Sequence, residues 1–409
     1  MTKRLILLTV LLLAVLYAAG TWTTQGNTLV GSGGSAYSQG IAVVLSNDGN
    51  TALIGGTNQF WVWTRSGTSW TQQAGPLTGT GQTGTAGSQG MSVALSSDGN
   101  TAAVGGPLDN FTSINGQAVG AVWIWTRNGN TWTQGSKLVA SPNNGSRQGS
   151  AVALSSDGNT LLVGGPLENS SLGATWVWTR SGSTWTQQTK LVASDILNSY
   201  SSQGASVALS SDGNTALVGA SSDANNVGAA SIFTRSGSIW TQQGPKLVGS
   251  DHLGTNVMTG SSVSLSSDGN TAMVGGSNDN VSIGAVWVFV RSAGVWNQQG
   301  LKLVGSDGVG QPIQGCSVSL AADGNTAIVG GYYDNNSVGA SWIWTRSGTT
   351  WTQLGMKIAG AVVGDQAGYA VAMSGLGTTA LVGSPWRSVN SSVRVLISPP
   401  NTRRVILVN

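Results

Sequence analysis

Charge is the scarcest commodity in this chain. Asp, Glu, Lys and Arg make up 8% of its 409 residues, against about 25% in a typical soluble protein. Glutamate occurs once (Glu168), histidine once (His252) and cysteine once (Cys316). Glu and Lys are the usual occupants of exposed helix faces, so their scarcity argues against a helical protein. A single cysteine excludes an intramolecular disulfide framework and any cysteine-based zinc site. A single histidine excludes multi-histidine metal centres and leaves one candidate for imidazole chemistry. No cofactor is implied. The formal charge is +3, but two of the 18 basic residues are Lys3 and Arg4, and without them 16 basic residues face 15 acidic ones. That balance provides no electrostatic footprint for nucleic acid.

What is abundant is glycine, at 61 residues, and tryptophan, at 17. Residues 1–20 read as a secretory signal. Lys3 and Arg4 form a basic start, Leu5 to Ala19 an apolar run, and Ala18 and Gly20 the small residues of a cleavage site. The run is short for an uncleaved anchor. No comparable run follows, so the expectation is export, to the medium or the cell surface, without membrane insertion after cleavage.

The string Leu-Ser-Ser-Asp-Gly-Asn-Thr recurs, with variations, around Asp48, Asp98, Asp157, Asp212, Asp268 and Asp323, at intervals of 50, 59, 55, 56 and 55 residues. A seventh, degraded copy runs from Met373 to Thr379, with Leu376 in place of the Asp. Each unit holds four strand-like pieces rich in Val, Ile, Leu, Trp and Thr. In the fifth unit they are 262–265, 271–274, 285–291 and 296–304. The first two are joined through Ser-Asp-Gly-Asn and the last two through a short Gly-containing turn, both of which favour hairpins. Two hairpins per unit imply antiparallel pairing and exclude a parallel β-helix. Seven such units predict an all-β protein, a seven-bladed β-propeller of four-stranded antiparallel blades.

Closure can be read from the termini. The fourth piece opens with a Trp in six units, at Trp70, Trp132, Trp185, Trp240, Trp296 and Trp351. The seventh is Trp22, in Thr21-Trp22-Thr23-Thr24-Gln25-Gly26, ahead of the first unit. The N-terminal strand is therefore expected to complete the last blade, which leaves no open edge. The expected domains are the leader 1–20, the propeller 21–397 and a tail 398–409 that does not fit the repeat.

These units resemble FG-GAP repeats, which build the seven-bladed head of integrin α chains and of many bacterial surface proteins. The family pattern is Phe-Gly-x-Ser-Val, a turn, a strand ending Gly-Ala-Pro, then Gly-x-Val-x-Val. Here the corresponding segments are Gln89-Gly90-Met91-Ser92-Val93, Val104-Gly105-Gly106-Pro107 and Gly120-Ala121-Val122-Trp123-Ile124. Gln replaces the Phe in most units. The calcium loop of many members is reduced to one carboxylate, too few for a calcium site, so calcium binding is not carried over. The resemblance implies the fold, and adhesion only by analogy.

Recurrent residues invite structural readings. The turn Asp of each unit is expected to cap its own backbone. The Arg ending the third piece (Arg65, Arg127, Arg180, Arg235, Arg291, Arg346) is expected to be solvated or to pair across strands. The paired Trp of the third piece are expected to pack blades together rather than to form sugar platforms. Cys316 is expected to be a small buried residue, and His252 an exposed loop residue beside Asp251 with no nucleophile in sight. Six Asn-x-Ser/Thr sequons, at Asn110, Asn144, Asn169, Asn280, Asn335 and Asn390, leave glycosylation open.

Two of the four turns per unit barely change between units; the other two vary in length and content. The variable pair must emerge on one face of the ring, where specificity is expected. Candidate ligand-binding residues there are Phe111, Asp195, Tyr200, Asp251, His252, Asp307, Tyr332, Tyr333 and Asp365. The expected function is a non-catalytic binding or adhesion scaffold for an extracellular protein or glycan. The alternatives are an Asp-dependent glycoside hydrolase or lyase, which needs a pair of carboxylates, and a structural surface or matrix component.

Overall fold

The structure is a computed structural model and describes residues 21–33, 38–84, 88–111, 118–198, 200–386 and 391–399. The leader 1–20, the sequon Asn390 and the tail beyond Pro399 lie outside the described residues.

Seven antiparallel sheets form the ring. Blades 1 to 6 occupy residues 42–77, 92–138, 151–191, 203–242, 259–298 and 317–359. Within each, the four main strands lie side by side in chain order, from the inner strand to the outer. Blade 7 is composite. Its Val371–Met373, Thr379–Ser384 and Ser392–Ile397 are completed by Thr23–Thr24, which pairs Thr23 with Ile397 and Thr24 with Leu396. Leu29 and Val393 exchange backbone hydrogen bonds of 2.8 and 3.0 Å further along. The N-terminal strand closes the ring as the Trp22 segment predicts.

The core is a set of layers, one at each blade interface. Second strands such as Thr271–Gly276 are buried throughout, and third strands such as Ala285–Ser292 are buried over their first five residues. Because side chains alternate across a strand, Trp287 and Phe289 pack toward blade 4, with Leu217 and Ile232. Val286 and Val288 point the other way, into a layer with Val318 and Trp342 of blade 6. The long run of apolar residues in the third strand is thus shared between two interfaces.

Two rings bind neighbouring blades near the axis. On the variable side, backbones touch through glycine pairs. A Cβ on Gly275 would stand 2.1 Å from the carbonyl oxygen of Gly315, and one on Gly383 would stand 2.2 Å from that of Gly40. On the uniform side, amides and carbonyls of the hairpin turns link blade to blade. Ser97 N–H donates to Ser156 at 3.0 Å, Ser156 to Ser211 at 3.0 Å and Ser211 to Ser267 at 2.9 Å. Ser267 donates to Ala322 at 2.9 Å, Ala322 to Gly375 at 3.0 Å, Leu376 to Asn47 at 3.1 Å, and Asn47 to Ser97 at 3.1 Å.

The outer strands depart from the sequence expectation. In blade 5 the strand expected over 296–304 is Val295–Gln298. Gly300 then turns the chain at φ +73°, and pairing resumes at Leu303, which bonds to Val286. Gly244 and Gly355 do the same in blades 4 and 6, with φ of +71° and +72°. Blade 3 has no such glycine, and its outer strand Thr184–Leu191 runs through with one register shift.

Candidate functional site

The uniform face is built from self-contained turns. Asp268 Oδ1 accepts hydrogen bonds from Ser266 Oγ at 2.5 Å and the Asn270 amide at 2.9 Å, and Oδ2 accepts from Asn270 Nδ2 at 3.0 Å. Burial alone would raise its pKa, but these donors and Arg291 hold it below the usual aspartate range. Asp48, Asp98 and Asp212 are shifted the same way for the same reasons. The turn aspartates therefore cap their own hairpins, as expected.

The arginines of this face do more than expected. Arg291 Nε donates to Asn270 at 2.8 Å in its own blade, while its Nη1 reaches Thr215 at 3.4 Å and Gln243 at 3.1 Å in blade 4. Its guanidinium lies 5.4 Å from the ring centroid of Trp296. Arg65 repeats the arrangement across the closure, donating to Thr379 at 3.0 Å. Each of these arginines pins its blade to the one before it. Inside the ring, this end of the channel holds a cavity of about 210 Å³ lined by Leu, Ser, Asn, Ala and Gly, among them Leu45, Ser97, Ser211 and Gly375. The described lining contains no carboxylate.

The variable face has an ion pair in each of blades 2 to 6 that sequence reading missed. Asp109, Glu168, Asp223, Asp279 and Asp334 are at most 2% exposed. Each meets a lysine at 2.5–2.6 Å: Lys137, Lys190, Lys246, Lys302 and Lys357 in turn. The acid also accepts a backbone amide from the preceding interblade loop, as Asp279 does from Leu253 at 2.6 Å. The signal was available. Units 2 to 6 each carry one such acid and one such lysine; at the lysine position, unit 1 has Pro76 and the strand closing unit 7 has Thr28.

In blades 3 to 6 the acid opens a left-handed turn. In blade 5, Asn280, Val281 and Ser282 have φ of +49°, +56° and +66°. Consecutive non-glycine residues in this region are uncommon because of the Cβ clash, and the buried ion pair anchors the start of the turn.

The acidic candidates all accept hydrogen bonds that clamp loops within the fold. Asp251 Oδ1 accepts Trp287 Nε1 at 2.7 Å and Gln298 Nε2 at 3.1 Å, and Oδ2 accepts the Lys302 amide at 2.9 Å. Asp307 repeats this with Trp342, Gln353 and Lys357 at 2.8, 3.2 and 2.7 Å. Asp195 binds Gln242 and the Lys246 amide at 2.8 and 2.7 Å. Burial works to raise Asp251 and Asp307, but these donors lower both. Asp365 is 2% exposed and accepts the Ala361 and Val362 amides at 2.6 and 3.1 Å. His252, expected to be exposed, is half-buried beside Asp251, Phe111 is half-buried where it bridges Gly84, and Tyr200 is 66% exposed.

Tyr332 and Tyr333 are brought together, with a third ring that sequence reading did not name. Tyr332 lies 5.1 Å from Tyr333 and 5.2 Å from Tyr369, centroid to centroid, with interplanar angles of 64° and 55°. Tyr369 heads the inner part of blade 7, and the two other tyrosines follow Gly331 at the end of a second strand of blade 6. The trio therefore stands near the axis on the variable face. Cys316, half-buried, lies beside it and bonds through Sγ to the carbonyl of Gly330 at 3.4 Å. Burial pushes this thiol up to about 12, so it stays neutral. Burial and the neighbouring Cys316 also raise Tyr332 and Tyr369.

Among the described residues, one interface departs from the pattern of pinning arginines. Ser398 occupies the blade-7 position of the pinning arginine, one residue beyond the Thr379–Ile397 pair. The blade-6 threonine that this arginine would meet, Thr326, is half-buried, whereas Thr51, Thr101, Thr160, Thr215, Thr271 and Thr379 are 1–6% exposed. A cleft of about 800 Å³ opens there, lined by Trp22, Thr326, Arg346, Leu376, Ser398 and Pro399, among others. Among the described residues, no group of three or more His, Cys, Asp or Glu is placed to hold a metal ion. No described helix is long and apolar enough to cross a membrane.

The comparisons agree with this architecture. A family model described as FG-GAP repeat matches residues 185–233, from the outer strand of blade 3 to the third strand of blade 4. No curated protein matches the chain. Among solved structures, Kuenenia stuttgartiensis hydrazine synthase is similar at a TM-score of 0.57 and 14% identity, over 90% of this chain and 98% of that one. At that identity the likeness concerns the fold alone. The FG-GAP match and the seven blades that share its pattern make this chain an FG-GAP-type β-propeller.

Proposed function

We propose that this propeller is an exported, non-catalytic binding scaffold that takes an extracellular protein or glycan on its variable face, centred on Tyr332, Tyr333 and Tyr369. The observation that carries this reading is the tyrosine trio. The large tryptophans Trp61, Trp123, Trp176, Trp287 and Trp342 are fully buried between blades, whereas these three rings gather at the axis and Tyr333 is 46% exposed. Tyrosine rings present a broad apolar surface and a hydroxyl at little entropic cost, which suits both sugar stacking and protein contact.

The carboxylates support the non-catalytic part. All 15 acidic residues of the chain accept hydrogen bonds within the fold: six in turns, five in buried ion pairs, and Asp195, Asp251, Asp307 and Asp365 in loop clamps. A glycoside hydrolase needs two carboxyl groups facing one substrate, and these are committed elsewhere.

The test is a glycan array and an array of extracellular matrix proteins, probed with the full chain and with Tyr333→Ala and Tyr369→Ala. Binding that weakens tenfold or more in each variant, about 1.4 kcal/mol, supports the reading. No binding on either array, or binding that ignores both substitutions, counts against it.

A further inference from the structure

Four of the Asn-x-Ser/Thr sequons fall at one structural position. Asn110, Asn169, Asn280 and Asn335 each directly follow the buried acid of their blade, and each is exposed. Their φ angles are +55°, +48°, +49° and +50°. Their carboxamides make no hydrogen bond to the described residues, and neither do the hydroxyls of Ser171, Ser282 and Ser337.

Backbone demand explains an Asn in this region, since Asn tolerates positive φ better than most residues. It does not explain the whole triplet. Blade 4 makes the same left-handed turn with Ala224, Asn225 and Asn226, at φ of +48°, +57° and +71°. The fold therefore accepts Ala at the first position and Asn at the third. Where the first position is Asn the third is Ser or Thr, and where the first is Ala the third is not. The sequon is present whole or absent whole, as expected for a pair read together by a modifying enzyme rather than for two independent turn preferences.

We propose that Asn110, Asn169, Asn280 and Asn335 are N-glycosylated, which crowns the variable face with glycans in blades 2, 3, 5 and 6 and leaves blade 4 bare. The donor is an oligosaccharide on a lipid pyrophosphate carrier. Nδ2 forms a bond to the anomeric carbon, the bond from that carbon to the pyrophosphate oxygen breaks, the carrier leaves with the electron pair, and Nδ2 gives up a proton. The free carboxamides at the turn apices are the acceptors. Asn144 is different: its Ser146 is fully buried, and its own backbone N–H donates to Glu168 at 3.0 Å.

The proposal shares only export with the binding reading above and does not depend on the tyrosines. The full chain is expressed in a eukaryotic secretory cell, treated with peptide N-glycosidase in heavy-oxygen water, and mapped by mass spectrometry. The expected result is heavy Asp at all four positions. Replacing them one at a time by Ala, the residue blade 4 already carries, removes one glycan step each, at no more than the small strain of Ala at positive φ. A chain that never enters the secretory pathway overturns the proposal, as does a secreted chain with these four peptides unmodified. Binding measured on the deglycosylated protein tests the tyrosine site separately.

Discussion

Lys302 and Asp279 illustrate what a charge does in a chain that has few. The carboxylate is buried and its partner is 15% exposed, so removing the lysine strands a negative charge in a dry interface. Lys302→Met should cost about 3–5 kcal/mol in chemical denaturation. Adding Asp279→Asn should recover part of that, because Asn still accepts the Leu253 amide. The clamp and turn aspartates act in the opposite pH sense from a buried neutral acid. Asp48, Asp98, Asp212, Asp251, Asp268 and Asp307 are all shifted downward in the fold. Their stabilisation is therefore complete above the unfolded value of about 3.9 and is lost as pH falls through the lower folded values. Melting temperature should hold steady from neutral pH down to about 5 and drop below about 4, as a calorimetric pH series would show. The turn role of these aspartates was legible in the Ser-x-Asp-Gly-Asn spacing. The clamp role of Asp251 was not, because its partners Trp287, Gln298 and Lys302 belong to the next unit, and only packed blades bring them together.

At the scale of the element, one departure from the FG-GAP pattern has a physical reason. Gln replaces the family's Phe, and in the structure Gln89 is buried and grips the backbone of Gly79: Oε1 accepts the amide at 2.6 Å, and Nε2 donates to the carbonyl at 2.9 Å. Gln39 does the same with Gly31, and Gln148 with Ala140. The side chain stands in for a strand partner of the interblade loop, so Gln89→Phe should destabilise despite restoring the family residue, by about 1–3 kcal/mol for the buried amide left unpaired. Equilibrium unfolding measures it. The glycine ring gives a sharper expectation. Gly275→Ala sets a methyl 2.1 Å from a backbone oxygen of the next blade, and neither backbone can yield without parting the interface. A loss of about 1–3 kcal/mol or more is expected, against little change for Gly237→Ala beyond the strain of its positive φ, since nothing lies within 4 Å there. Hairpins and strands were readable from alternation and turn residues. The outer-strand breaks at Gly244, Gly300 and Gly355 were not, because a glycine inside a strand pattern reads equally as a bulge or a turn.

For the whole molecule, the pinning arginine recurs in blades 1 to 6, and the interface of blades 6 and 7 differs. Among the described residues Ser398 stands where the other blades carry the pinning arginine, Thr326 is half-buried, and a cleft lies beside it. Ser398→Arg should place a guanidinium near Thr326 as Arg346 stands near Thr271, at 3.2 Å, and raise stability by about 1 kcal/mol, seen as a higher denaturation midpoint. The ring and its closure were visible in the sequence because the repeat carried its own alignment. The proposed binding surface was visible only as a list of loop residues, since geometry alone could separate the clamping aspartates from the clustered tyrosines. The closure also sets an order of events during synthesis. Thr23–Thr24 leaves the ribosome before any blade exists, and its partner Ser392–Ile397 follows some 370 residues later. At about 5–20 residues per second, the first strand waits roughly 20–75 seconds for its mate. Through that interval six blades can stack as an open arc, with inner and outer edges of the unfinished seventh exposed to any passing strand. The seventh blade therefore cannot close before Ser392–Ile397 has been made, so the wait for its missing strands is set by the length of chain between them.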